Sequence, residues 1–356
     1  MFALLCAARM DIQLEKARAT ANFTRFRRNQ ANGHYESYFM RANSPDGNQA
    51  FWVRYTIYHG KPIHTATGME SMGELWAIHF EKGKKPVAAK SEFDLAKADF
   101  SNTHFGLDFN ESILNDKRLK GSAKGVGDHS IQWELDMTPI ATAKNLHPLF
   151  PMPLDTYDAA LPRAKLLVAQ PFLRFAGVFI LNGKKISVKD WQGSQNHNWG
   201  ERHTDEYAWG QVAGFDNDPD AFLEVASAKL KFGPITTPYL TPIALRLGGK
   251  DYALNSYWSA FRNKAKVAYF DWTFSGENDA FSIEGKISAS RDDFVPLKYY
   301  NPPGDVKTCL NSKLAACEII FREKGRVGIS KTLKTASRAA FEILTSKTDH
   351  GFTHQV

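Results

Sequence analysis

From residue 33 onwards the chain is written in short alternating runs. In F-W-V-R-Y-T-I-Y-H (51–59), Trp52, Arg54, Thr56 and Tyr58 alternate with Phe51, Val53, Tyr55 and Ile57. Successive side chains of a strand point to opposite faces, so aromatic and β-branched residues on both sides predict a strand covered on both faces. E-L-W-A-I-H-F, F-G-L-D-F-N and I-Q-W-E-L-D-M follow, and later F-L-E-V-A-S-A-K-L, I-A-L-R-L, V-A-Y-F-D-W-T-F, F-S-I-E-G-K-I-S-A and A-A-F-E-I-L. F-I-L-N-G-K-K-I-S-V predicts a hairpin turning at Asn182-Gly183. A polar stretch through Gly121, Gly125 and Gly127 reads as a link. Residues 145–171, with H-P-L-F-P-M-P-L and L-P-R-A-K-L-L-V-A-Q-P, lack either period and predict a long packed loop, a connector or the rim of a cavity. A loose helical pattern is confined to residues 1–30. Strands punctuated by glycine, asparagine and proline, with no strand–helix alternation, predict an all-β sandwich or barrel.

One stretch, Trp191 to Asp216, is unlike the others. From His203 onward its odd positions carry His203, Asp205, Tyr207, Trp209 and Gln211, while the even side shrinks to Ala208, Gly210, Val212 and Gly214. Such a strand suits a cavity wall backed by tight packing. A core strand with satisfied polar groups would read the same way. Burying so many ionisable groups costs several kcal/mol unless they are paired, and that favours a ligand site. Glu70, Trp76, His79 and Tyr58 form a second aromatic and ionisable group, with ordinary strand side chains as the plainer reading.

Composition narrows the class. At 356 residues the chain can bury one large core or two ordinary ones, and 43% apolar with 23% charged residues is globular. The net charge of +7, from 45 basic against 38 acidic residues, is spread out. Its densest patch is Arg25, Arg27 and Arg28, so no nucleic-acid partner is expected. Weak attraction to an anionic membrane surface stays open. Three cysteines make no disulfide framework. Cys309 and Cys317 could face each other across a hairpin, but a reduced, cytoplasmic compartment is the simpler expectation. The apolar opening M-F-A-L-L-C-A-A is too short for a membrane span. No phosphate loop, nucleophile elbow or zinc signature occurs. His197, His203 and Asp205 are spaced like no common zinc site, and neither metal nor cofactor is expected.

G-S-Q-N-H-N-W-G followed by H-T-D-E-Y-A-W-G-Q resembles the motif of the AttH-like proteins. These are grouped with the bacterial carotenoid 1,2-hydratases (hydroxyneurosporene synthases), the tocopherol cyclases and fungal Diels-Alderase relatives. P-R-A-K-L-L-V-A-Q-P, the hairpin before W-Q-G-S and N-P-P-G-D-V-K-T-C-L-N-S-K-L-A extend the resemblance over roughly residues 35–345. It implies two consecutive lipocalin-like (calycin-type) β-barrel or β-sandwich domains, at 31–205 and 206–350, after a partly helical segment at 1–30. The histidine and tryptophan of the hydratases' H-N-W match His197 and Trp199. The residues after Trp209 depart from the hydratase pattern, and Asp205 and Glu224 are the nearest candidates for its carboxylate.

The leading expectation is a cofactor-independent hydratase or cyclase acting on a hydrophobic isoprenoid or polyene by acid-assisted alkene activation. Asp205 or Glu201 would be the acid and His197 or His203 its partner. Trp199, Tyr207, Trp209 and Trp76 would line the site; Asn196, Asn198, Gln211 and Glu224 would orient water or ligand. A carboxyl buried among indoles would be held protonated. Asp205→Asn and His197→Ala are expected to abolish turnover while the fold survives. A lipocalin-style carrier and a pericyclic cyclase are the alternatives. The residues do not indicate an oligomeric state.

Overall fold

The computed structural model describes residues 2–61, 69–125, 129–325 and 328–356, without the side chains of residues 2–10 and Phe232. After the helix Phe2–Ala19, two large sheets carry the chain, and their strands pair antiparallel throughout. In the first, the strands run in the spatial order Val87–Asp94, Ser71–Glu81, Gln49–His59, His34–Asn43, Lys184–Gly200, Ala164–Leu181, Ser130–Pro139 and Arg118–Lys124, followed by three short strands. Its arms curl together, with Val87–Asp94 packed against Arg118–Lys124. The second sheet centres on Asp218–Lys229, Glu206–Phe215, Ser330–Thr345, Val306–Glu323 and Phe281–Ser288. The chain is all-β, with two lipocalin-like barrels.

Alternation along the strands sorts the side chains into three layers. Tyr38, Met40, Val53 and Tyr55 fill the first barrel. Val212, Leu223, Trp272 and Phe341 fill the second. Between the two sheets lies a third layer, in which Phe39, Trp52 and Trp76 meet Trp209, Leu297, Tyr299 and Leu344. The small side of the central stretch faces the second core, as its pattern predicts. A Cβ on Gly210 would stand 2.4 Å from Ile287 Cδ1 and 2.9 Å from a Trp272 ring carbon, so only glycine fits there.

The hairpin at Asn182-Gly183 forms as expected, with φ of +50° and +80° at the two turn residues. Elsewhere the structure departs from the sequence reading. Gly121 and Gly125 belong to a hairpin joining Arg118–Lys124 to Ser130–Pro139, not to a link, and Gly127 lies outside the described residues. The stretch 145–171 is irregular, with one 3-10 turn at Leu154–Tyr157, only as far as residue 163. Ala164–Leu181 is then a strand, and Pro171 sits where the pairing shifts between Gln170 and Leu173. Proline is tolerated at such a bulge, so it did not end the strand.

V-A-Y-F-D-W-T-F is split by a turn between Lys264–Val267 and Asp271–Glu277. Cys309 and Cys317 lie on the single strand Val306–Glu323, both free, and cannot face each other across a hairpin. The side chain of Cys6 is outside the described residues. Among the described residues no helix is long and apolar enough to cross a membrane.

Candidate active site between the two sheets

The strand Lys184–Gly200 carries the Q-N-H-N-W motif, and its pleat divides that motif between two environments. Asn196 and Asn198 pair with Phe39 and Ser37 and face the second sheet. Gln195, His197 and Trp199 point the other way, onto the segment that follows the N-terminal helix. Gln195 and Asn22 exchange two amide hydrogen bonds of 2.9 Å. His197 Nδ1 donates to the Ala21 carbonyl at 2.7 Å, and Nε2 lies 2.7 Å from Glu36 Oε1. Its ring stacks on Tyr38, with centroids 4.2 Å apart. Trp199 packs with Ala21 and Leu167 beneath the Arg25 guanidinium.

Glu36 is the hub of this side, and the sequence reading missed it. Its carboxylate accepts from the backbone N–H groups of Arg25 and Phe26, from the Tyr38 hydroxyl and from His34 Nε2 at 3.0 Å. Burial alone would raise its pKa. The hydrogen bonds and charges of His197 and His34 outweigh burial and hold Glu36 well below the usual carboxylate range. Both oxygens of Glu36 and both ring nitrogens of His197 are matched. His197 and Trp199 are therefore committed to a clamp on the N-terminal segment, although His197 also borders the cavity described next.

On the other face a cavity of about 90 Å³ opens between the sheets, walled by Phe39, Trp52, Tyr207, Trp209, Tyr299 and Asn196. Arg54, Lys165, Asn198, His203, Thr204 and Glu342 add to its polar lining. A larger, more open chamber of about 710 Å³ adjoins it, since Ala164, His203 and Thr204 line both. Leu161, Leu230, Leu240 and Tyr257 line the outer chamber beside Arg163, Arg202 and Lys231. In the inner cavity Trp52 Nε1, Asn196 Nδ2 and Asn198 Oδ1 are buried with no partner in the protein. Burial pushes the phenols of Tyr207 and Tyr299 well above their usual range, so both stay protonated donors. His203 stacks on Tyr35 at 3.8 Å. Burial first, then the nearby Arg54 and Lys307 charges, push its pKa well below the ordinary histidine value, so it is neutral.

A buried carboxyl beside an indole is found at Glu224. It is fully buried, accepting from Trp209 Nε1 at 2.6 Å and Gln211 Nε2 at 2.9 Å. Burial raises its pKa to about 8, and those neutral donors with the Arg41 charge only partly oppose the rise. Gln211 also accepts from the Ser194 hydroxyl at 2.7 Å, which fixes its amide.

The two favoured acids are elsewhere. Glu201 is exposed. Asp205, with 29% of its side chain exposed, accepts from the Lys231 backbone N–H and lies 3.7 Å from Arg202. Glycine 200 ends the strand, and the turn over 201–205 carries both carboxylates to the rim before Glu206–Phe215 begins. His203 and Asp205 both line the outer chamber, with no hydrogen bond between them. Trp76 lies in the inter-sheet layer but does not line the cavity; its Nε1 donates to Glu74 at 3.2 Å. Tyr58 packs with Met72 and Tyr300 in a separate small cluster, His79 faces the first barrel and Glu70 is exposed, so the second group disperses. Among the described residues no three His, Cys, Asp or Glu gather as metal ligands.

Three-layered architecture and topology match known structures across nearly the whole chain. A protein provisionally named AttH from Nitrosomonas europaea aligns over 88% of this chain and 92% of its own, at 12% identity and a TM-score of 0.52. CghA aligns over 90% of each chain, at 8% identity and a TM-score of 0.51. The fold is that of the AttH-like, lipocalin-like proteins. Kievitone hydratase from Nectria haematococca aligns over 90% of this chain and 91% of its own, at 12% identity and a TM-score of 0.46. No family model matches the sequence, and no curated protein does.

Of the cavity-lining residues, Tyr207, Trp209, Asn196, Asn198 and His203 were legible in the central stretch. Arg54, Trp52, Tyr299 and Glu342 were not. Arg54 did leave a signal: a charged residue in mid-strand, in a run covered on both faces, is rarely buried without a purpose.

Proposed function

We propose that the chain is a cofactor-independent hydratase or cyclase acting on a hydrophobic substrate held in the cavity between its sheets. The observation that carries this reading is the pairing of unpartnered polar atoms with a buried, protonated carboxyl. Trp52 Nε1, Asn196 Nδ2 and Asn198 Oδ1 lack partners, a cost of about 1–3 kcal/mol each that a bound molecule would relieve. Glu224 lies directly behind the Trp209 wall and keeps its proton up to about pH 8. Glu224 does not itself line the cavity; in this reading a shift of the Trp209 indole off its carboxyl lets it donate the proton to the alkene, and water addition or loss of a proton then quenches the cation. The faces of Trp209, Trp52 and Phe39 stabilise the developing positive charge, at roughly 0.5–2 kcal/mol per well-placed ring. Asn196 and Asn198 orient water or a ligand hydroxyl.

The same cavity suits a carrier, and turnover separates the two. The hydrophobic molecule that co-purifies with the native protein, identified by mass spectrometry, is incubated with the wild type and with Glu224→Gln. The enzyme reading expects an isomer or hydrated product from the wild type, and a rate about 10²–10⁴-fold lower in the variant with binding retained. Recovery of unchanged ligand from the wild type would establish the carrier. Full turnover in Glu224→Gln would remove Glu224 as the acid and point to the pericyclic alternative, in which shape and hydrogen bonding suffice.

A further inference from the structure

We infer that the ligand carries an anionic oxygen group, such as a carboxylate or an enolate, seated against Arg54 in the inner cavity, with its apolar body in the outer chamber. The inference rests on the proposed ligand site and names the chemistry that the site selects.

Arg54 is 3% exposed, and its guanidinium carbon lies 4.4 Å from the centre of the Tyr299 ring. Its Nε donates to the Ser37 hydroxyl at 2.8 Å. No carboxylate among the described residues is within ion-pair distance of it. The neighbouring acids are already taken: Glu74 pairs with Lys90 at 2.7 Å, and Glu342 with Lys313 at 2.8 Å. Arg246, just as deeply buried, shows what a satisfied guanidinium looks like here. It forks onto both oxygens of Asp251 and donates to the carbonyls of Asn145 and His147. Arg41, a third buried arginine, bonds to Asn43 and to the Arg338 carbonyl and does not line the cavity.

Burial alone would lower the pKa of Arg54, but the charges of Glu74 and Glu342, too far for an ion pair, outweigh it and hold Arg54 charged. Yet no anion among the described residues touches its guanidinium, and Arg54 alone among these three borders the cavity where one could. The other spare groups agree with it. Trp52 Nε1 and Asn196 Nδ2 are donors, and Asn198 Oδ1 is the one spare acceptor. A lining so rich in donors calls for an acceptor-rich guest. At about 90 Å³ the inner cavity takes a head group, not a whole molecule, whereas the outer chamber of about 710 Å³ falls in the range of roughly 300–1,000 Å³ usual for small-molecule sites. The arrangement also removes a conflict from the proposed chemistry. A carbocation beside a bare guanidinium would be repelled; the ligand's own anion neutralises Arg54 first.

The test is direct binding of two matched pairs to the delipidated full chain: retinoic acid against retinol, and dodecanoate against dodecanol. Quenching of tryptophan fluorescence reads the affinity. In the wild type each acid binds at least about tenfold more tightly than its alcohol, the effect of one charge-assisted hydrogen bond. Arg54→Gln brings the pair to within about twofold of each other, and Arg54→Lys restores part of the preference. Circular dichroism and melting temperature establish that the variants are folded. Equal wild-type affinity for acid and alcohol overturns the inference while leaving the hydrophobic site standing, and needs no variant. Persistence of the preference in folded Arg54→Gln overturns it as well. Failure of all four molecules to bind the wild type sinks the underlying reading of the cavity, and this inference with it.

Discussion

Glu36 and Glu224 are both fully buried glutamates, yet their pKa values move in opposite directions. Glu36 lies on the first sheet, under the N-terminal segment, where two histidines, a phenol and two backbone amides donate to it. It is held ionised, well below its ordinary value. Glu224 lies on the second sheet, behind the cavity, with one indole and one amide as donors. It is pushed up to about 8. Burial is common to both, so the donor set decides the sign. A saturated carboxylate is an anchor. A carboxyl with few, neutral donors keeps a proton that chemistry can use.

The largest effect expected from this contrast is the loss of the anchor. Glu36→Ala leaves His197 and His34 without their buried partner and frees the amides of Arg25 and Phe26. Breaking a buried pair in this way costs about 3–5 kcal/mol, read as a lower denaturation midpoint at unchanged slope. His197→Ala should fall in the same range, because it too abandons a buried charge. A change below about 1 kcal/mol in both variants would mean that the clamp holds nothing.

The pH dependence of stability tests the signs. Glu36 is depressed from an ordinary 4.5, so its contribution is fully present above about pH 4.5 and is lost as the pH falls towards the folded value. Glu224 is raised from 4.5 to about 8, so its contribution is complete below about pH 4.5 and is lost as the pH rises through 8. Glu224→Gln should flatten the decline in stability between about pH 5 and 8, with a cost of about 1 kcal/mol near pH 5 that is offset or reversed as the pH approaches 8. Denaturant titrations at several pH values measure both slopes. An unchanged alkaline slope in Glu224→Gln would count against a raised Glu224.

Trp52→Phe probes the unsaturated side. Its Nε1 has no partner, so the protein loses no hydrogen bond, and stability should change by less than about 1 kcal/mol. Ligand affinity should fall several-fold, measured by the same fluorescence titration. A destabilisation comparable with that of Glu36→Ala would show that the indole N–H is structural.

Much of the fold was legible because alternation is a local property. The strand at 51–59, the hairpin at Asn182-Gly183 and the small side of Glu206–Phe215 each follow from a few adjacent residues. Pro171 misled because a bulge in the pairing of Ala164–Leu181 with Lys184–Gly200 absorbs it, and that pairing is not local. The site was half legible for a related reason. Parity within Glu206–Phe215 correctly groups Tyr207 and Trp209. It cannot say that the intervening turn reverses which side of Lys184–Gly200 shares their space. His197 and Trp199 were accordingly grouped with Tyr207 and Trp209, whereas Asn196 and Asn198 are the residues that stand with them. Glu36 and Arg54 depend on partners far away in sequence, His197 and Tyr299 among them, so no run of neighbours announced them.

The smallest effect is the one that most sharpens the contrast. Asp205 has the residue type and sequence neighbourhood of a catalytic acid, yet it lies at the rim, with Arg202 at 3.7 Å and Lys307 at 3.8 Å. The Arg202 pair, long and a third exposed, contributes about 0–1 kcal/mol; Lys307 is nearly buried but keeps its hydrogen bonds to the Thr204 and Asp205 carbonyls when the carboxylate is neutralised. The backbone N–H of Lys231 donates to Oδ2, and an asparagine side chain can still accept that bond through its amide oxygen. Asp205→Asn should therefore unfold within about 1 kcal/mol of the wild type and convert substrate at an unchanged rate, in the same assays that report the loss in Glu224→Gln. If Asp205→Asn were the inactive variant and Glu224→Gln the active one, the proton would come from the rim, and the buried carboxyl would be only a brace for Trp209 and Gln211.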